Sequence, residues 1–208
     1  MIRLAVSVEG ETEVDFVNMV LAPHLRSKGV DPIPILPHGR GGNIRVERVA
    51  SAMAELFWNF DYVTSLVDFY GFMDKDNDAP CQLERRIDDA VGQRIRSSWD
   101  ESRIFAYVQL HEFEALLFSD VHRFSAVFDD LPDGALARLL EVRRHFGSPE
   151  DINDSSATAP SKRISQLVPG YSKRLHGPDL AAEIGLSVIR SECNRFNGWL
   201  TRLESLGG

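Results

Sequence analysis

"IRLAVSVEGETEVDFV", residues 2–17, decides how the rest of the chain is read. Ile2 to Val8 is a short apolar run, rich in β-branched residues and closed by Glu9 and Gly10, the pattern of a buried strand. The period then changes. Val14, Val17, Leu21 and Leu25 recur at three- and four-residue steps through Lys28, and Gly29 supplies a stop, so a helix is predicted. Thr12 is the expected N-cap, with Glu13 and Asp15 in the first turn, where the helix dipole stabilises a carboxylate by roughly 0.3–1 kcal/mol. Glu11 and Asp15 are adequately explained that way, and Glu13 fits either a helix start or a site. Glu9 is not explained, because it ends a strand where no capping rule asks for an acid.

Working outward, "DPIPILP" (31–37) reads as a proline-bounded strand near a sheet edge, since proline cannot donate to a ladder. "HGRGGN" (38–43) is a glycine-rich turn into a helix carrying Ile44, Val49, Met53, Leu56 and Phe57 on one side. A third strand runs from Tyr62 to Val67 and ends at Asp68, "DKDNDAP" is a polar loop, and Cys81 to Arg96 is an amphipathic helix. "RIFAYVQL" is a fourth strand. This β-α-β-α-β-α-β order predicts an α/β fold with a mainly parallel, four-stranded sheet flanked by helices. After residue 111 the chain turns helical: "HEFEALLFSD", then "DGALARLLEVRRHF", a polar loop from Gly147 to Pro160, and helices over Ser161 to Leu167 and Asp179 to Leu206. The expectation is one domain over 1–208, an α/β core at 1–120 with a helical C-terminal cap at 121–208.

The 208 residues carry a formal charge of −8, which argues against a protein that coats nucleic acid by charge alone. It leaves room for an enzyme that grips nucleic acid locally or through a partner. Cys81 and Cys193 have no spacing that suggests a disulfide framework or a zinc site. The apolar start is too short for a signal sequence and no later run approaches a membrane span, so a cytoplasmic protein with no membrane partner is expected.

Acids recur at strand ends: Glu9 after the first, Asp68 ending the third, Glu112 and Glu114 after the fourth. In an open parallel sheet the ligand crevice lies beyond the carboxyl ends of the strands, so these acids could converge there. Converging carboxylates repel unless a hard cation such as Mg²⁺ or Mn²⁺ sits among them. "HGRGGN" lacks the Gly-Lys-Ser/Thr of a P-loop, which makes it an ordinary turn with Arg40 as a candidate phosphate contact. His111 beside Glu112 is a candidate base or ligand, or simply a hydrogen-bonded strand-end residue. Phe113, Phe118, Phe196 and Trp199 have helical spacing and read as core.

"VSVEGETE" resembles the first strand and glutamate turn of the Toprim fold, found in topoisomerases, primases and overcoming-lysogenization-defect nucleases. "VDFYG", "QLHEFEALLFSD", "APSKRI" and "CNRFNGWL", in that order, resemble a bacterial Toprim-like family catalogued as domain of unknown function 4276. The resemblance implies a Toprim-like fold and a Mg²⁺- or Mn²⁺-dependent phosphodiesterase or nuclease. Glu9 then matches the general acid/base or metal-ligand glutamate, Glu13 the second acid of the first motif, and Asp68 the first acid of the Asp-x-Asp motif. Tyr70 stands where the second aspartate would be, so Glu112, Glu114 or an acid of the 74 to 78 loop must complete the metal site. Lys162 matches the basic residue that follows the acids and is the catalytic candidate for stabilising the pentavalent transition state, with Arg163 and Lys173 behind it as phosphate contacts. The resemblance also implies an AAA or ABC-type ATPase partner, a DNA or RNA substrate and a role in phage defence. The rival reading is a Toprim-like module that has lost catalysis and serves as a regulatory or docking subunit of such an ATPase. A phosphohydrolase of a small nucleotide is a third.

Overall fold

The computed structural model describes residues 1–37, 44–96, 100–153 and 158–208. β1 (Ile2–Val8) occupies the residues expected of it. The helix that follows is one rod, α1 (Glu11–Phe16), a widened π turn (Val17–Leu21) and α2 (Ala22–Arg26), ended by Gly29 at φ 84°. Its start differs from expectation. Gly10 is the cap residue, in extended conformation, and its carbonyl accepts the Val14 N–H at 3.2 Å, while Thr12 lies buried inside the first turn. The chain turns as soon as the strand ends, and a glycine permits it because a Cβ at Gly10 would stand 3.1 Å from the Glu13 carboxylate.

β2 (Val30–Ile35) pairs in parallel with β1 and forms the sheet edge. Ile2 N–H donates to the Gly29 carbonyl, which sets odd-numbered residues of this strand toward β1. Pro32 and Pro34 therefore face the open side, where a missing donor costs no ladder bond and discourages edge-to-edge pairing. α3 (Val46–Leu56), β3 (Tyr62–Asp68) and α4 (Pro80–Ile95) follow as predicted. The fourth strand is broken into β4 (Ile104–Phe105) and β5 (Val108–Gln109), both parallel to β3. The break has a cause: Ala106 N–H donates to Asp88 Oδ1 (2.8 Å) and Tyr107 N–H to Ser65 Oγ (2.9 Å) instead of to a neighbouring strand's carbonyl.

The sheet order is β2-β1-β3-β4, with every pairing parallel, so the expected α/β architecture is observed. Period-two alternation sorts the core into two layers. Ala5, Val63 and Val67 face α3 and α4, whereas Leu4, Val6, Val8 and Leu66 face the first helical rod and the C-terminal helices. That cap comprises a 3₁₀ run (Phe113–Arg123), α5 (Phe124–Val127), α6 (Ala135–His145), α7 (Pro160–Leu167), α8 (Lys173–Ile184), α9 (Leu186–Glu192) and α10 (Asn194–Ser205). α8 starts six residues before the expected Asp179 and carries Pro178 inside it. Gly177 beside it packs closely: a Cβ there would meet Phe113 at 3.2 Å and Thr12 at 3.4 Å. Phe113, Phe118, Phe196 and Trp199 are buried, as expected, and Trp199 Nε1–H donates to Thr64 Oγ1 at 3.0 Å.

Candidate functional site

Parallel strands bring their carboxyl ends to one side of the sheet, and each strand end here delivers an acid. β1 and β3 run in register from Leu4↔Tyr62 to Val8↔Leu66, which sets Glu9 beside Asp68. The Asp68 backbone N–H donates to Glu9 Oε2 at 3.2 Å, so the turn after β1 is tied to the end of β3. Gly71 keeps this packing possible: a Cβ on it would stand 3.1 and 3.2 Å from the Glu9 carboxylate oxygens and 2.9 Å from Ile44 Cδ1. Glu13 joins from the first turn of α1, one turn beyond Glu9.

After β5, His111 takes a left-handed φ of 61°, a conformation that costs a non-glycine residue about 1–2 kcal/mol. Its carbonyl accepts the Tyr70 N–H at 3.2 Å, and the reversal puts Glu112 at the start of the 3₁₀ run and Glu114 in its first turn. Glu114 is fully buried, and Glu13 and Asp68 are nearly so. Glu112 is half-buried and accepts the Ser161 N–H at 3.0 Å, which fastens the beginning of α7 to this corner.

Lys173, the first residue of α8, reaches into the acids. Its Nζ lies 3.1 Å from Asp68 Oδ2, 3.2 Å from Glu114 Oε2 and 3.7 Å from Glu13 Oε1. Tyr171 O–H donates to Glu114 Oε1 at 3.5 Å. Glu13 Oε1 and Glu114 Oε2 are buried and, apart from this ammonium, accept no hydrogen bond.

The electrostatics follow from four carboxylates around one ammonium. Burial first, then repulsion from Asp68 and Glu13, pushes Glu9 up to about 7. Glu114 is likewise raised to about 7, by burial and then by Asp68 and Glu112, against the opposing pull of Lys173. Glu13 and Asp68 are raised as well, with burial as the main cause. Burial would lower Lys173, but Asp68, Glu114 and Glu13 together outweigh it and hold the ammonium charged. Such opposed shifts, concentrated at one end of a sheet, mark a candidate site.

The other sequence candidates go to different places. Tyr70 and His111 pack ring against ring at 5.3 Å, next to Glu112. Lys162 is exposed one residue beyond Ser161. Arg163 donates to the Thr158 carbonyl at 2.6 Å and lies over the Phe146 ring at 5.5 Å. Arg40 falls outside the described residues. In the 74 to 78 loop, Asp74 accepts the Val46 N–H at the start of α3 and Asp78 pairs with Arg86 at 2.5 Å, while Asp76 is exposed. Gly71 and Tyr171 are site residues that sequence reasoning missed. For Lys173 it missed the central position, because α8 was expected to start beyond it.

Hard carboxylate oxygens, two of them buried without hydrogen bonds, fit a divalent cation such as Mg²⁺ or Mn²⁺ in their chemistry. Among the described residues no three His, Cys, Asp or Glu side chains stand at coordinating spacing, and an ion here would share its centre with Lys173 Nζ.

An α/β protein whose acids gather at the carboxyl edge of a parallel sheet is thus defined by fold and site together. The chain belongs to the family described as Domain of unknown function (DUF4276), whose model matches residues 8–204. Among solved structures it is similar to the C-terminal region of the Xanthomonas campestris pv. campestris OLD protein. The mercury-phased structure of that region has 15% identity and a TM-score of 0.46, and the iodine-phased one 14% and 0.43. Both comparisons cover 98% of this chain and 95% of the other. No curated protein matches the chain significantly. Among the described residues no helix is long and apolar enough to cross a membrane.

Proposed function

We propose that this chain is a Toprim-like phosphodiesterase, a nuclease that uses Mg²⁺ or Mn²⁺ and works with an AAA or ABC-type ATPase partner in phage defence. The observation that carries the reading is the gathering of Glu9, Glu13, Asp68 and Glu114 from three strand ends around Lys173. Glu9, Glu13, Asp68 and Glu114 would hold the ion, with Glu112 beside them. When bound, it would polarise a phosphodiester and make an attacking water more acidic.

The chain's own groups have separable tasks. Glu9 is half-exposed, unlike the buried Glu114, and with a pKa of about 7 it can take or give a proton at the mouth of the cluster. Lys173 places a positive charge against the acids, where it can also meet the developing charge on a phosphate oxygen. Lys162, exposed near Glu112, and Arg163 are candidates to hold flanking phosphates. The bond broken is P–O, and water supplies the new oxygen.

The direct test is Mn²⁺-dependent cleavage of DNA and RNA by the purified chain, alone and with the products of neighbouring genes. Glu9→Gln and Asp68→Asn should each lower the rate at least a hundredfold. Absence of cleavage together with no Mn²⁺ binding in titration calorimetry removes the reading. One observation favours the rival, a non-catalytic docking subunit of the ATPase: Tyr70 replaces the second motif acid and Lys173 already neutralises part of the cluster. That reading expects both variants to keep full biological activity.

A further inference from the structure

α6 and α7 differ in charge from the rest of this acidic chain. Together they carry Arg138, Arg143, Arg144, Lys162 and Arg163 against a single carboxylate, Glu141, within a protein of net −8. Arg143 is committed to Glu192 at 2.6 Å, whereas Arg138, Arg144, His145 and Lys162 are exposed. Between the two helices runs a groove of about 320 Å³, lined by Arg138, His145, Phe146, Arg163 and Gln166 together with Glu141, and floored by Val142 and Leu167. The Arg163 guanidinium is braced in it by the Thr158 carbonyl and the Phe146 ring. Cations interleaved with an aromatic face and an amide are the groups that hold a single strand of nucleic acid.

Position links this groove to the acids. Ser161, at the start of α7, donates its N–H to Glu112, so the helix begins at the edge of the acidic cluster. Gln166 lies five residues further on, about 7 Å along the axis, the order of one phosphate-to-phosphate step of an extended single strand. A strand with one phosphate at the acids would therefore lay its neighbouring phosphate along α7.

We propose that the α6–α7 groove is the binding track for a single-stranded nucleic-acid segment flanking the phosphodiester presented to the acidic cluster. The inference rests on the nuclease reading above and adds the path of the polymer. The track supplies the attraction that the overall charge withholds, and confines it to one face.

The test is anisotropy with a labelled single-stranded oligonucleotide, at a series of salt concentrations and without divalent metal. Arg138→Glu with Gln166→Glu, both exposed positions, should weaken binding at least tenfold and flatten the salt dependence. A matched control on α4, Arg85→Glu with Gln93→Glu, should stay within twofold of the unmodified chain. Equal binding by all three proteins, or equal loss in both variants, overturns the proposal. So does an unmodified chain that binds an acidic peptide in the groove and no nucleic acid. Mn²⁺ calorimetry and hydrolysis of bis-p-nitrophenyl phosphate by the unmodified chain keep the two readings apart. Hydrolysis with strand binding that ignores the groove removes this inference alone, whereas no metal binding and no hydrolysis removes the reading beneath it.

Discussion

Glu114→Gln should make the metal-free protein more stable at pH 8, although it removes a side chain from the centre of the candidate site. Glu114 is fully buried and titrates at about 7 against an ordinary 4.5. Between those values the native chain holds a proton that the unfolded chain has released. Stability therefore falls as pH rises through that window and stays low above about 7. The difference, at about 1.4 kcal/mol per pH unit, is about 3 kcal/mol at pH 8. Glutamine keeps an oxygen for the Tyr171 hydroxyl and carries no charge, while Lys173 retains Asp68 and Glu13. Urea unfolding from pH 4.5 to 8.5 in chelator should show the two proteins converging at the acid end. At pH 8 the variant should be ahead by about 3 kcal/mol, or roughly 6–12 °C in melting temperature for a chain of this size. A wild-type profile flat between pH 5 and 8, or a variant no more stable at pH 8, would refute the account of a charge-strained cluster.

Lys173→Met removes the ammonium from the same acids and should act in the opposite direction. A loss of about 2–4 kcal/mol at pH 8, shrinking toward pH 5 as the carboxylates protonate, is expected in the same urea series. Gly71→Ala would press a methyl against Glu9 and Ile44. It should cost about 1–2 kcal/mol of stability and weaken Mn²⁺ binding measured by calorimetry. Because Glu9 and Glu114 hold protons up to about pH 7, Mn²⁺ affinity should climb from pH 6 to pH 8. Calorimetry in buffers of different ionisation enthalpy should then show proton release on binding, and a pH-independent affinity would contradict it.

Where the chain obeys simple periodicity, its structure was legible in advance. Ile2 to Val8 was readable because a buried strand and an amphipathic helix meet at Gly10 with an abrupt change of period. Asp68 and Glu9 were readable because acids at the ends of apolar strands have few structural excuses. Two features resisted. Thr12 matched the capping rule, but the rule is local and ignores that the turn is set by Gly10 and by the space the Glu13 carboxylate needs. The helix expected from Asp179 begins at Lys173, with Pro178 inside it, so the lysine stands in the first turn of α8. A cation in the first turn of a helix is mildly opposed by the dipole, which holds for Lys173 at the start of α8 as it does for Lys162 in α7. Gly71 and Tyr171 carry no sequence signal of their own, since both matter only through what folding sets beside them.

The position of Lys173 bears directly on what Tyr70 means. Loss of the second aspartate in an Asp-x-Asp motif would leave a cation short of a ligand if the remaining acids were those of β1 and β3 alone. Glu114 enters instead from the reversal after β5, and its oxygen comes within 3.2 Å of the same ammonium as Asp68. Glu114 thus adds a carboxylate to the cluster from beyond the neighbouring strand β5. Tyr70 occupies a different environment, against His111 and near Glu112, so it does not substitute for an acid in place. Burial, together with repulsion among the acids that a single lysine does not offset, pushes Glu9 and Glu114 up to about 7. Retained protons are what a divalent cation would displace.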